Sequence, residues 1–326
     1  MSTMVLPLLT LGYACMNETI KKKYPVSRTC IQRTFMEKGK EYAIQLAKSN
    51  LENVYHTLKW NEKHGIRLYR MSSNMFPHCS NPKVIPDGEK YAYDIETFRE
   101  ECEKIGRFAK KYGHRLTFHP GQYNVVGTPK ADAFSKTVIE LSLHADILDM
   151  MGLDEDSIMV VHGGGVYGDK EDTMKRWVRQ FRLLPENVQK RLVIENCEKS
   201  YTALDMIRLS DMTGCPVVFD THHHACYHLK EELPDPSTFL HDVLETWYRR
   251  GIRPKFHISE QAVGKRVGAH SDYVEEVPGY LLDLLQTEEI DIMIEAKKKE
   301  LAVDRLLMKY GVFVDGEWCL KNDFVD

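Results

Sequence analysis

Eight short apolar runs, each followed by a segment of helical composition, constrain the fold of this chain more than any other feature. The runs are Val5–Leu11, Ile66–Arg70, Arg115–Phe118, Ser157–Val161, Arg191–Ile194, Val217–Phe219, Lys255–Ile258 and Ile290–Ile294. Short stretches rich in β-branched and aliphatic residues read as buried strands. The helical segments are Thr34–Lys63, Asp94–Tyr112, Asp132–Met151, Asp169–Leu184, Thr202–Thr213, Pro236–Arg250, Val277–Gln286 and Glu300–Tyr310. In the second of these Ile95, Phe98, Ile105, Phe108 and Ala109 are the apolar positions. Strand–helix alternation demands parallel strands joined by right-handed crossovers. Eight such units are the count that closes a (β/α)8 barrel. The expectation is therefore an α/β chain, one TIM-barrel domain over residues 1–326. The competing architecture, an open doubly wound sheet, binds a cofactor at its switch point. No glycine-rich dinucleotide fingerprint occurs, so no organic cofactor is expected.

Barrels of this kind carry their chemistry at the C-terminal ends of the strands. Here those ends hold His119, His162, Glu195, Asp220 with His223, His257 and Glu295. Singly, each is an ordinary polar loop residue. Together, the third to the eighth strands all end in good metal ligands, where chance loops would bring more Lys, Ser and Thr. The run C-P-V-V-F-D-T-H-H-H shows the pattern best, a buried strand delivering a carboxylate and imidazoles at its tip. Imidazole plus carboxylate without thiolate suits Zn2+ or Mn2+. Cys197 and Cys226 read as bystanders. His270 brings the candidates to eight, which suggests at least two ions.

Lys255 lies two residues before His257, so on a strand both face one way. An ammonium beside several cations is unfavourable. The alternatives are a neutral amine, a carbamate ligand, a side chain turned aside, or a pairing with an acid such as Glu260. His222, His224, His228 and His241 have weaker claims, as neighbours of the site or surface residues.

The formal net charge of −4 carries no global basic signature. A nucleic-acid partner would need local positive charge or bound cations. The clusters Lys21–Lys23 and Lys297–Lys299 are short and read as solvated lysines. Eight scattered cysteines without a CxxC pair fit a reduced intracellular protein. Met4–Leu11 is too short for a membrane or secretory segment and lacks a basic flank, so no membrane partner is expected. The expected location is the cytoplasm in a prokaryote or the nucleus in a eukaryote. No dimerisation signal is visible, so a monomer is expected.

The strings L-G-Y with Asn17 following, Y-R-M-S-S, F-H-P-G-Q-Y, V-V-H-G-G-G, I-E-N-C-E, V-F-D-T-H-H-H, K-F-H-I-S, A-H-S-D-Y-V and I-M-I-E-A-K-K-K-E occur in this order between Leu11 and Glu300. Together they closely resemble the UV damage endonuclease family. Related barrels, endonuclease IV and xylose isomerase-like enzymes, share parts of the pattern. The resemblance implies a DNA repair enzyme with two or three Mn2+ ions, nicking immediately 5′ to pyrimidine dimers and (6-4) photoproducts and leaving a 3′-hydroxyl and a 5′-phosphate. By motif, the metal ligands would be His119, His162, Glu195, Asp220, His223, His257, His270 and Glu295. Lys255 matches the lysine carboxylated in family members, and Glu195 and Lys255 are the catalytic candidates. Gln122 and Tyr123 match the pair that wedges into the duplex, and Tyr13 and Asn17 match residues of the damaged-DNA pocket. One departure stands out. The position of a family metal-binding histidine holds Asn81, with His78 three residues earlier as the candidate replacement. A sugar isomerase on the same barrel and a non-catalytic damage-binding protein are the competing functions.

Overall fold

The computed structural model describes residues 6–324. Eight parallel strands form a ring: β1 (Thr10–Ala14), β2 (Leu68–Arg70), β3 (Arg115–Thr117), β4 (Met159–His162), β5 (Leu192–Glu195), β6 (Val217–Asp220), β7 (Lys255–Ile258) and β8 (Asp291–Ile294). Their order is β3-β2-β1-β8-β7-β6-β5-β4. A parallel bridge between Phe118 and Met159 closes β3 on β4. Each strand is fully buried or nearly so, between lumen and outer helices, which is why the strands read as continuous apolar runs. The expected TIM barrel is the observed fold.

The lumen is part apolar and part charged. Ala14, Leu68 and Met293 form one small apolar cluster, and a Cβ on Gly12 would lie 2.3 Å from the Leu68 carbonyl oxygen. Lower down, Arg115 donates to the buried Asp291 at 2.8 Å. Lys255, wholly buried, reaches Thr117 Oγ1 at 3.3 Å. Outside, the helix Lys40–Lys63 buries Ala43, Ala47, Leu51, Val54 and Leu58, a single stripe at three- and four-residue spacing. Arg99–Tyr112 approaches the next helix so closely that a Cβ on Gly106 would lie 1.6 Å from the Met151 carbonyl oxygen.

Besides a short helix at Glu186–Arg191 and a break at Gly39 in the first helical segment, three places differ from the sequence expectation. The first barrel strand starts at Thr10, and Val5 lies outside the described residues. Part of the apolar run before it is used elsewhere: Leu8 bridges Cys319, and Leu9 N–H donates to the Trp318 carbonyl at 2.9 Å. That partner belongs to the second difference, a hairpin of β9 (Gly311–Val314) and β10 (Glu317–Leu320) in what reads as a plain tail. The third is a helix, Thr221–His228, in place of a loop after β6. Asp220 caps it by accepting the His223 N–H at 2.7 Å.

Candidate metal centre

The C-terminal mouth of the ring converges on one carboxylate. Glu195, at the tip of β5, is wholly buried. Its Oε1 lies 2.7 Å from His257 Nδ1 on β7 and 3.9 Å from His223 Nδ1 beyond β6. Its Oε2 lies 3.0 Å from His119 Nε2 beyond β3 and 3.6 Å from His162 Nε2 on β4. Four strands thus aim imidazoles at the tip of a fifth. Two donor triads result, His119–His162–Glu195 and Glu195–Asp220–His223, each with ligand atoms within 4.8 Å of one another. Both contain Glu195, the arrangement a bridging carboxylate requires.

Glu295, just past β8, extends the cluster. It lies 3.4 Å from His257 Nδ1 and 3.7 Å from His270 Nδ1, and it pairs with Arg70 at the tip of β2. Asn196 braces the neighbouring tip through both edges of its amide. Its Oδ1 accepts from Asp220 N–H at 2.8 Å, and its Nδ2 donates to the Asp220 carbonyl at 3.0 Å. Sequence reasoning missed Arg70 and Asn196. Both stand at strand tips, in Y-R-M-S-S and I-E-N-C-E, and position alone could have marked them.

The protonation states favour cation binding. Burial opposes charge on Glu195, but His257, His162 and His119 hold its carboxyl well below the usual range. Burial likewise opposes charge on Glu295, and Arg70 and His257 overcome it. Burial pushes His162 and His257 down to about 4 against the pull of Glu195, which favours the neutral imidazole that can give a lone pair to a cation. Asp220 is raised, mainly by burial and then by Glu195 and Glu295. Burial opposes charge on His223, yet Asp220 and Glu195 raise it. A cation arriving at this pair would therefore displace a proton from it. Asp220 Oδ2, His162 Nδ1 and His257 Nε2 are buried without a hydrogen-bond partner. Such orphans are costly unless something else satisfies them. Hard carboxylates, neutral imidazoles and orphaned donor atoms together fit divalent metal.

Lys255 lies beneath this cluster. Burial first, then Arg70 and Arg115, push its ammonium down to about 7, so near neutrality much of it is a free amine.

The remaining candidates fall into three groups. Gln122 and Tyr123 stand on the exposed loop after β3, Tyr123 with 85% of its surface open. Tyr13 and Asn17 are buried together: Tyr13 donates to Asn61 Oδ1 at 2.6 Å and accepts from Asn17 Nδ2 at 2.9 Å. His78 is not brought into the ring. Its Nε2 faces the Cys30 carbonyl at 2.9 Å and its Nδ1 faces the Asn81 amide at 3.0 Å. Of the lesser histidines, His222 packs beside Cys226 Sγ at 3.6 Å, and His228 accepts from Leu233 N–H at 3.1 Å. His241 is exposed beside Glu245.

Fold and mouth together define a (β/α)8 barrel built around a shared histidine–carboxylate cluster. Within that class, the chain belongs to the UV-endonuclease UvdE family, whose profile matches residues 9–315. A protein of Acanthamoeba polyphaga mimivirus is 37% identical over 97% of each chain. The UV-damage endonuclease of Schizosaccharomyces pombe is 35% identical over 92% of this chain but only 50% of its own length. Among solved structures, SacUVDE superposes with a TM-score of 0.79 at 30% identity, covering 92% of this chain and 98% of its own. Among the described residues no helix is long and apolar enough to cross a membrane.

Proposed function

We propose that this chain is a metal-dependent endonuclease that cuts double-stranded DNA immediately 5′ to UV lesions, pyrimidine dimers and (6-4) photoproducts among them. The observation that carries the chemistry is Glu195, a buried carboxylate common to two ligand triads. Membership of the UV-endonuclease family supports the substrate. His119, His162, Glu195, Asp220, His223, His257, His270 and Glu295 would hold two or three Mn2+ ions, with Zn2+ the alternative. Such ions supply Lewis acidity toward a phosphodiester and acidify water at neutral pH.

The chain's own residues prepare that chemistry. Glu195 spans the two triads, and Arg70 keeps Glu295 ionised and oriented. Lys255 is suited to become a carbamate. Its neutral amine adds CO2, the N–C bond forming as one C=O π bond opens and the nitrogen releases a proton, so a neutral group beneath the ring becomes an anion. Glu195 and the carbamate of Lys255 are then the catalytic pair. Hydrolysis breaks the P–O3′ bond and forms one P–O bond to water, leaving a 3′-hydroxyl and a 5′-phosphate. A dimerised base pair is cheaper to unstack than normal DNA, by a share of the few kcal/mol that unstacking costs. Gln122 and Tyr123, exposed beside the mouth, fill the gap. Tyr13 and Asn17, bonded to each other at the β1 tip, are the residues that would line the damaged-DNA pocket. His78 holds its own loop and leaves the ring to the other eight ligands. The chain acts as a monomer, wherever the cell keeps its DNA.

A supercoiled plasmid decides the matter. With Mn2+, irradiated plasmid is nicked, undamaged plasmid is not, and Glu195→Ala abolishes the difference. Binding without nicking would make the protein a damage-binding module, and neither would return it to the sugar-isomerase type of barrel.

A further inference from the structure

The loop beyond β7 is internally braced and presents an exposed tip. Gln261 braces it from inside: its Nε2 donates to the Ala262 and Arg266 carbonyls at 3.1 and 2.9 Å, and its Oε1 accepts from Gly268 N–H at 2.9 Å. Ala262 N–H to the Ala269 carbonyl, at 2.7 Å, closes its neck. Gly264 and Gly268, with φ of +68° and +83°, make its turns. A loop so braced needs little further ordering when it binds. Its tip exposes 98% of Val263 and 56% of Val267. Between them stand Lys265 and Arg266, both exposed, and neither is in an ion pair among the described residues.

Position supplies the partner. In the ring β7 is four strands from β3 in either direction, so this loop and the Gln122–Tyr123 loop are rooted on opposite sides of the mouth. The root of the loop carries His270, 3.7 Å from Glu295. Its base is tied to Lys297 and Lys298, whose N–H groups donate to Ser271 and Asp272 carbonyls at 3.0 Å.

We propose that residues 262–268 form a second DNA-gripping arm opposite the Gln122–Tyr123 loop, with Lys265 and Arg266 on phosphates and Val263 against the sugars of the minor groove. This rests on the endonuclease reading above. Free cations beside an apolar tip match a phosphate backbone and a groove wall.

The test measures binding of the full chain to an irradiated fluorescent duplex by anisotropy across a salt series, beside plasmid nicking. Replacing both Lys265→Gln and Arg266→Gln should lower the slope of log affinity against log salt by about 2, and should weaken binding roughly 10- to 100-fold near 0.1 M salt. Lys265→Gln alone should lower the slope by about 1. Gln261→Ala, which loosens the loop without changing charge, should weaken binding at an unchanged slope. If the wild type nicks irradiated plasmid while the double variant keeps its slope and affinity, the arm is wrong and the endonuclease reading stands. If the wild type neither binds nor nicks, that reading fails and the arm falls with it.

Discussion

Lys255 is the residue at which burial most directly sets chemistry. It sits wholly enclosed with Arg70 and Arg115 as electrostatic neighbours, and its ammonium falls from an ordinary 10.5 to about 7. Between those values the unfolded chain binds one more proton than the folded chain, so folding stability rises with pH by about 1.4 kcal/mol per unit. The penalty is complete below pH 7 and vanishes above the unfolded value. Lys255→Met, close in shape and without charge, should therefore be the more stable protein at pH 6 in EDTA and CO2-free buffer. Its advantage should shrink by about 2 to 3 kcal/mol between pH 7 and pH 9. Urea unfolding at several pH values measures this, and a flat difference would mean that Lys255 stays charged in the fold. Bicarbonate should add the mass of CO2 to the wild type and nothing to the variant.

At the level of elements, Asp220 joins two roles that are usually separate. It ends β6 as a candidate ligand and caps the helix Thr221–His228. Asparagine caps a helix as well as aspartate does. Asp220→Asn should leave the metal-free protein at near wild-type thermal stability while Mn2+ affinity and nicking fall roughly 100-fold or more. Asp220→Ala should lose about 1 kcal/mol of stability in addition, the value of the cap. Equal stability of the two variants would mean that the cap contributes nothing. This double role also explains what the sequence hid. The barrel strands were legible because a strand buried on both faces is continuously apolar, and their tips were legible because they carry ligand chemistry. D-T-H-H-H-A-C-Y-H has no apolar periodicity, and its helix depends on a cap and on packing rather than pattern. Tyr13 and Asn17 were expected at the damaged-DNA pocket, and their burial could not be read from the sequence because it depends on the fold around them: Asn61, from a helix far along the chain, accepts the Tyr13 hydroxyl. Arg70 escaped for the same reason, because its partner Glu295 is remote in sequence.

For the whole molecule the difficulty is electrostatic. A chain of net charge −4 must draw in a polyanion, and the point where the phosphate would dock holds Glu195, Asp220 and Glu295. Arg70 offsets only part of that negative charge. Two or three divalent ions would reverse the sign of the mouth without altering the rest of the surface. Exposed lysines and arginines such as Lys265 and Arg266 would then hold the flanking DNA. Metal removal should therefore have two consequences that differ in kind. First, Mn2+ should raise the melting temperature with a concentration dependence, because a ligand that binds only the folded state stabilises it by mass action, about 2.7 kcal/mol at 100 times its Kd. Second, EDTA should weaken binding to irradiated duplex more than tenfold at about 0.05 M salt, and less as salt screens the repulsion. Calorimetry and anisotropy on the same preparation separate the two. If Mn2+ stabilises the fold but leaves DNA affinity unchanged, the ions serve bond cleavage alone, and the basic loops carry all of the attraction.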